Sequence, residues 1–427
     1  MDDPTAITKE QEPTPTELVE LCLLLGRMLF QFGASTRRIL DSVEQLVARL
    51  GVARVHMLVS YDALSVTVSD GPSFRTKIDE SKDVAGLNII GMLAISKLLH
   101  DLDRKSLGYQ EVKRRLGVIR AMGTAWIGWM QALACGAVSA AYSLLNGGDP
   151  IAWIGSFIGG VVIYGVKCKL LRMPVSFVQK VFMMSLAGTF VAALYALIFP
   201  TTTAAITTLA PVLFLVAGVP LINGGMDVVS NHVPIGISRM FFSFAVLVAI
   251  VLGIAGPFYM LGDRSAVIAV YQAHGLWEYI LPACAGAVAA ASLVVIFNGS
   301  WGIFILCASG GLLARLCRAL VMAQGVDIIS ATLVAAVTST VFILLVSRQL
   351  KISTVSLSVI CILPMIPGYF AIEGLRGLFE FTISVHPSPA GLVAATHNLL
   401  TAIYIVLSLV LGVIAPAAIL QNKMPKY

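Results

Sequence analysis

Charge is what this sequence has least of. Asp, Glu, Lys and Arg make up 12% of its 427 residues, against 58% hydrophobic, and its mean hydropathy is +0.89. A soluble domain is about a quarter charged, so the composition is that of an integral membrane protein. Other absences narrow the field. No GxxxxGK[ST] phosphate loop occurs, which argues against direct coupling to ATP hydrolysis within the chain. Neither HExxH nor a paired Cys/His spacing occurs, so no metal site and no cofactor is expected. The seven cysteines (Cys22, Cys135, Cys168, Cys284, Cys307, Cys317, Cys361) form no CxxC pair and read as small packing residues. The opening "MDDPTAITKEQEPTPTE" lacks a basic stretch followed by an apolar one, so no signal peptide is expected and the N-terminus should stay on the side of synthesis. The net charge of +6 calls for no nucleic acid, because basic residues gather at helix ends.

What charge there is lies unevenly. Of the 52 charged residues, 32 fall within positions 1–120. That step predicts a cytoplasmic domain over 1–120, with 1–15 disordered, and a membrane domain beyond it. Helical apolar spacing from Thr16 to Gly33 and from Ser35 to Gly51, β-rich runs at 54–60 and 63–69, a turn at Asp70-Gly71 and two further helices suggest an α+β domain. His56, Ser60 and Asp62 are close in sequence, but a triad is defined by geometry, and a strand of alternating direction explains them as well. The expectation is a regulatory module rather than an enzyme.

Ten candidate spans follow, at about 122–145, 150–166, 176–199, 203–223, 234–261, 276–297, 300–321, 327–347, 353–373 and 391–420. Starting from a cytoplasmic N-terminus, ten spans return the C-terminus to the same side. The basic residues agree: Lys113, Arg114, Arg115, Arg120, Lys167, Lys169, Arg172, Lys180, Arg239, Arg348, Lys351, Lys423 and Lys426 fall on that side. Arg264, Arg315, Arg318 and Arg376 fall on the other, with Arg315 and Arg318 awkwardly late in the seventh span.

The membrane domain carries an internal echo. "GAVSAA" (136–141) matches "GAVAAA" (286–291), Asn146-Gly147 matches Asn298-Gly299, and Gly159-Gly160 matches Gly310-Gly311. Ala217-x-x-Pro220 matches Pro364-x-x-Pro367, and "LGIAGP" (252–257) matches "LGVIAP" (411–416). The expected fold class is therefore a polytopic α-helical membrane protein of ten transmembrane helices. They form a five-plus-five inverted repeat, 121–265 and 266–427, because an odd number of spans per copy makes the second enter from the opposite side. Each half breaks a hydrophobic segment with proline and glycine, which frees backbone groups that can face a polar substrate.

At these residues the chain resembles the threonine/serine exporter (ThrE) family. The resemblance rests on "LFQFGAST", "AGLNI", "SLLNGG", "VPLINGGMD" with "GISR" downstream, "FNGSW" and "LPMIPG", and it covers nearly the whole length. Family members often carry proline where Ala217 stands here. The family also occurs as two proteins dividing near residue 265, a version associated with succinate export. The resemblance implies a multi-pass protein of the bacterial plasma membrane that exports threonine or serine, driven by the proton motive force; composition and repeats alone reach only a transporter for something polar. Dicarboxylate efflux is the same-class alternative, and a passive channel the other. The partners are threonine or serine, protons and the lipid bilayer, and a homo-oligomer is compatible with all of this.

Candidate site residues follow from the breaks. Pro220, Asn223, Arg239, Pro367, Gly368 and Asn398 are expected to line a substrate site, Arg239 and Asn398 together holding a carboxylate. Asp227 and Glu373, the acidic residues just beyond each break, are candidates for proton coupling, and Asn146 and Asn298 for the mouths of the pathway. Capping, interfacial snorkelling and simple turns are the competing explanations for these same residues.

Overall fold

The structure is a computed structural model that describes residues 13–50, 54–70, 73–80, 86–104, 107–262, 275–350, 354–384 and 388–421. The first twelve residues, the boundary expected at 265, Arg264, Lys351, Lys423 and Lys426 lie outside the described residues. The chain divides into two compact units, Met1–Gly123 with Ser230–Ile235, and Thr124–Val229 with Gly236–Tyr427.

The first unit opens with α1 (Pro15–Gln31), started by a capping box between Thr14 and Glu17 with Pro15 at the first helical position. After α2 (Thr36–Arg49) come three antiparallel strands in the order β1 (Arg54–Val59), β2 (Ala63–Asp70), β3 (Ser73–Glu80). Period-two alternation decides the faces. Leu64, Val66 and Val68 are buried in one core with Leu25 and Leu29 of α1, Ile95 of α3 (Ile89–Arg104) and Val112 of α4 (Tyr109–Arg120). The other face leaves Leu58, Phe74 and Ile78 exposed. Glu111 accepts from Arg114 (2.8 Å) and Arg115 (2.6 Å), and these hydrogen bonds hold its carboxyl down to about 2. No hydrogen bond joins His56, Ser60 and Asp62 among the described residues, and His56 sits opposite Thr67 in the sheet.

The second unit is helical throughout. Its first three helices are α5 (Gly128–Leu145), α6 (Pro150–Leu170) and α7 (Phe177–Ile198), α6 capped by Asp149 and α7 by a Ser176–Gln179 capping box. Next, α8 (Ala204–Leu209) runs through a 3-10 turn, Ala210–Leu215, into α9 (Gly218–Val229), with a bend of 55°. After α10 (Val233–Leu261) come α11 (Trp277–Ile296), α12 (Trp301–Ala323) and α13 (Ile328–Leu350). Then α14 (Thr354–Ile362) runs through a 3-10 turn, Leu363–Met365, into α15 (Gly368–Ile383), with a bend of 54°, and α16 (Pro389–Gln421) closes the order.

Among the described residues seven helices are long and apolar enough to cross a membrane, or nine if each bent pair is one span. Ten were expected. The tenth, α5, is only 18 residues long, and Gln131, Ser139 and Ser143 lower its apolarity.

The two bends share one local geometry. Val216 (φ −53°, ψ 125°) and Ile366 (φ −58°, ψ 134°) leave the helical conformation in the same way, and the amides of Gly218 and Gly368 close onto their carbonyls at 2.6 and 2.8 Å. This matches Ala217 with Pro367, not Pro220 with Pro367, because the backbone turns at the residue between each bonded pair. Close approaches recur in the same way. A Cβ at Gly160 would meet the Cys135 carbonyl and Ser139, and one at Gly311 would meet the Gly286 carbonyl and Ala290. A Cβ at Gly253 would meet Ser185 and Leu186, and one at Gly412 would meet Ala336 and Val337. The contacts of Gly160 and Gly311 recur at a spacing of 151 residues, one more than the GAVSAA/GAVAAA match suggests. Turn geometry agrees: the left-handed residue after α5 is Gly147 (φ 81°) and after α11 it is Asn298 (φ 57°), again 151 apart.

Candidate functional site

The expected site residues separate into distinct settings. Asp227 on α9 and Arg239 on α10 form an ion pair, Oδ2 to Nη1 2.7 Å, with their side chains 1% and 4% exposed. Asn223 is buried one turn before Asp227, and Pro220 lies half-buried in the first turn of α9. Arg239 is thus committed to a carboxylate of the protein itself. Asn398 lies half-buried on α16. Glu373 is held on its own helix by Arg376, at 3.2 and 2.7 Å, and Arg376 also pairs with Glu380 and lies 5.1 Å from the ring of Phe258.

The freed carbonyls of the breaks are tied down by hydroxyls, as burial away from water requires. Ser243 of α10 donates to the carbonyl of Ala217 (3.1 Å), and Tyr142 of α5 donates to that of Leu363 (3.3 Å). Asn146 donates to the Tyr142 carbonyl (2.7 Å) at the end of α5, and Asn298 accepts from the Ala125 amide (2.7 Å).

The second break borders a cavity of about 680 Å³. Pro364, Pro367, Gly368 and Tyr369 contribute one wall, and Tyr142, Asn146 and Gly147 another. Glu278 and Tyr279, from the start of α11, lie on it, and so do Arg315 and Arg318 of α12. Of the expected residues, Pro367, Gly368 and Asn146 meet here; Pro220, Asn223, Asp227, Arg239, Glu373, Asn398 and Asn298 are not on its lining.

Arg315 and Arg318 are what the residue-by-residue reading passed over. Arg318 is 8% exposed and Arg315 is half-buried, its stem packed where Gly286 leaves room. Neither has a hydrogen-bond or ion-pair partner among the described residues, and Arg315 Nε is buried and unsatisfied. Unpaired guanidinium groups in a membrane protein carry a large desolvation cost, and a charge so placed points to a functional site. The signal was present in sequence as two arginines three apart in an apolar span. The distribution of basic residues alone places them at a membrane surface, because composition does not tell an interfacial turn from a cavity wall.

Broken spans beside an open cavity, together with the likenesses that follow, make this a multi-pass membrane transporter rather than an enzyme. A family model described as "Putative threonine/serine exporter" matches residues 20–260, and one described as "Threonine/Serine exporter, ThrE" matches residues 283–419. The chain belongs to the threonine/serine exporter family. It is similar to the "Probable succinate transporter subunit YjjP" of Klebsiella aerogenes, 23% identical over 251 residues, which is 58% of this chain and 95% of that protein. The protein of the same description from Escherichia coli (strain K12) is 24% identical over 252 residues, covering 58% and 97%. No solved structure matches the chain.

Proposed function

We propose that the protein is a secondary-active exporter of small dicarboxylates, working by alternating access between two inverted five-helix halves. The observation that carries the substrate is the pair Arg315 and Arg318, unpartnered among the described residues and lining the cavity at the second break. Two guanidinium groups in one cavity suit two carboxylates, since each can engage one through charge-assisted hydrogen bonds. The relatives described as succinate transporter subunits agree with that chemistry. Threonine and serine, the substrates in the family's description, are the second reading: Glu278 on the same lining can take an ammonium while an arginine takes the carboxylate.

The inverted-repeat reading is supported by the two bends of 55° and 54° and by the glycine contacts recurring at matching positions. The halves are 124–262 and 275–421 within the described residues, and the first unit and both termini are cytoplasmic by the distribution of basic residues. Proton coupling is assigned to Asp227 and Glu373, each beyond a break and each held by an arginine that protonation of the carboxylate would release. Pro220, Asn223 and Asn398 then belong to the moving segments rather than to the cavity wall. The plasma membrane of a bacterium is the setting that the family implies.

Thermal stabilisation of the purified protein by succinate, threonine and serine tests the substrate. The expected order puts succinate first, with the shift lost in Arg318→Gln. Stabilisation by threonine alone would reverse the choice.

A further inference from the structure

The cavity opens at one end of the α5–α11 pair, and at the other end the corresponding residues are packed shut. Trp126, just before α5, donates its indole N–H to the carbonyl of Gly299 after α11 (2.5 Å), while Asn298 takes the neighbouring Ala125 amide. The ring of Trp126 lies 4.6 Å from that of Trp301 and 6.1 Å from that of Phe304. Around it cluster Met130 and Ala134 from α5 and Val295 and Ile296 from the end of α11. These contacts leave Trp126 only 6% exposed.

At the spacing of 151 residues set by the glycine contacts, the members of this plug have apolar or aromatic counterparts, except Trp301, which corresponds to Pro150. Trp126 corresponds to Trp277, Met130 to Leu281, Val295 and Ile296 to Leu144 and Leu145, and Phe304 to Trp153. Leu281, Leu144, Leu145 and Trp153 are not packed into a plug: they line the open cavity. Trp277 stands 59% exposed. The Gly148 carbonyl, counterpart of Gly299, accepts from Trp153 instead (2.7 Å). One set of positions is thus closed at one end and open at the other.

We propose that Trp126 is the latch of a closed gate and that Trp277 is its partner in the opposite state. This inference rests on the transport reading above. When the molecule alternates, Trp126 leaves the Gly299 carbonyl and its plug opens, while Trp277 and Leu281 close over Leu144, Leu145 and Trp153. The mouth so opened is lined by the counterparts of Arg315 and Arg318, which are Tyr164 and Lys167. Lys167 Nζ lies 6.0 Å from the centre of the Tyr164 ring, and the Tyr164 hydroxyl lies against Gly128 in the first turn of α5. Each mouth then offers a cation to a carboxylate.

Labelling of Tyr164→Cys by a membrane-impermeant maleimide, read by peptide mass so that the native cysteines stay in place, measures whether this mouth is open. Trp126→Phe keeps an aromatic ring at this position but removes the indole donor and part of the ring packing. It is expected to raise the labelling rate several-fold, whereas Trp277→Phe, whose side chain is exposed in this state, leaves it unchanged. Equal rates with and without Trp126→Phe would overturn the latch. Succinate-dependent thermal stabilisation of the same variants reports on the transport reading separately: a shift in the melting curve without a change in labelling sinks the latch alone, and a change in labelling without any shift sinks the substrate and leaves the latch.

Discussion

Asp227 and Arg239 hold each other across the turn between α9 and α10, 2.7 Å apart and both almost wholly out of solvent. Removing one partner leaves the other as an uncompensated buried charge, which typically costs about 3–5 kcal/mol. Asp227→Asn and Arg239→Gln are therefore each expected to lower the unfolding midpoint sharply. The double variant, with two neutral amides in place of two charges, should recover more than half of either loss. A double-mutant cycle on detergent-solubilised protein measures the coupling. Additive losses would show that the two residues do not act as a pair.

Arg315 and Arg318 should behave in the opposite way. Each bears its desolvation cost without an anionic partner among the described residues, so Arg318→Gln removes a burden and leaves nothing orphaned. The unliganded midpoint is expected to stay level or rise. Binding should weaken about 10- to 100-fold for each arginine lost, since a hydrogen bond to a charged group contributes about 1.5–3 kcal/mol. Calorimetric titration with succinate checks both halves of the statement. Unchanged affinity in Arg315→Gln and Arg318→Gln would remove the pair from the substrate site.

Much of this is legible in the sequence, and the reasons are physical. The proline–glycine breaks fall where two helices bend, because the signal comes from local covalent chemistry. Register was harder. The sequence match at GAVSAA lies one residue off the spacing at which the close contacts of Gly160 and Gly311 recur, since close approach selects neighbours by size rather than by identity. The site was least legible. Arg239 looked like the cation nearest a break, but Asp227, twelve residues earlier, takes it, and only folding brings Arg315 and Arg318 to the break at 364–368. A tertiary cavity has no signature in spacing along one chain.

The hydroxyl of Tyr142 is predicted to hold the second break in shape. It donates to the Leu363 carbonyl at 3.3 Å from α5, and Tyr142 also lines the cavity. Tyr142→Phe keeps the ring and deletes one hydrogen bond, a loss of about 0.5–1.5 kcal/mol in stability. The local effect should exceed the global one: amide hydrogen exchange at Ile366 and Gly368 is expected to speed up while distant helices keep their protection. Uniform exchange across the unit would show that Tyr142 stabilises the fold without positioning the break.

Gly253 and Gly256 lie on the same helix and provide a controlled comparison. A Cβ at Gly253 would fall 2.8 Å from the Cβ of Ser185 and 2.9 Å from the Phe182 carbonyl, so α10 would have to move away from α7. At Gly256 it would meet nothing within 4 Å. Gly253→Ala is therefore expected to destabilise by about 1–3 kcal/mol, the usual cost of overpacking. Gly256→Ala should be neutral or stabilising by up to about 1 kcal/mol through helix propensity alone. Gly412→Ala, facing Ala336 at the corresponding contact between α16 and α13, should cost about as much as Gly253→Ala. Midpoints from thermal unfolding in detergent give all three values. A loss at Gly253 with none at Gly412 would mean that the two halves do not share one packing scheme, and the symmetry from which the alternating gates are derived would lose its support.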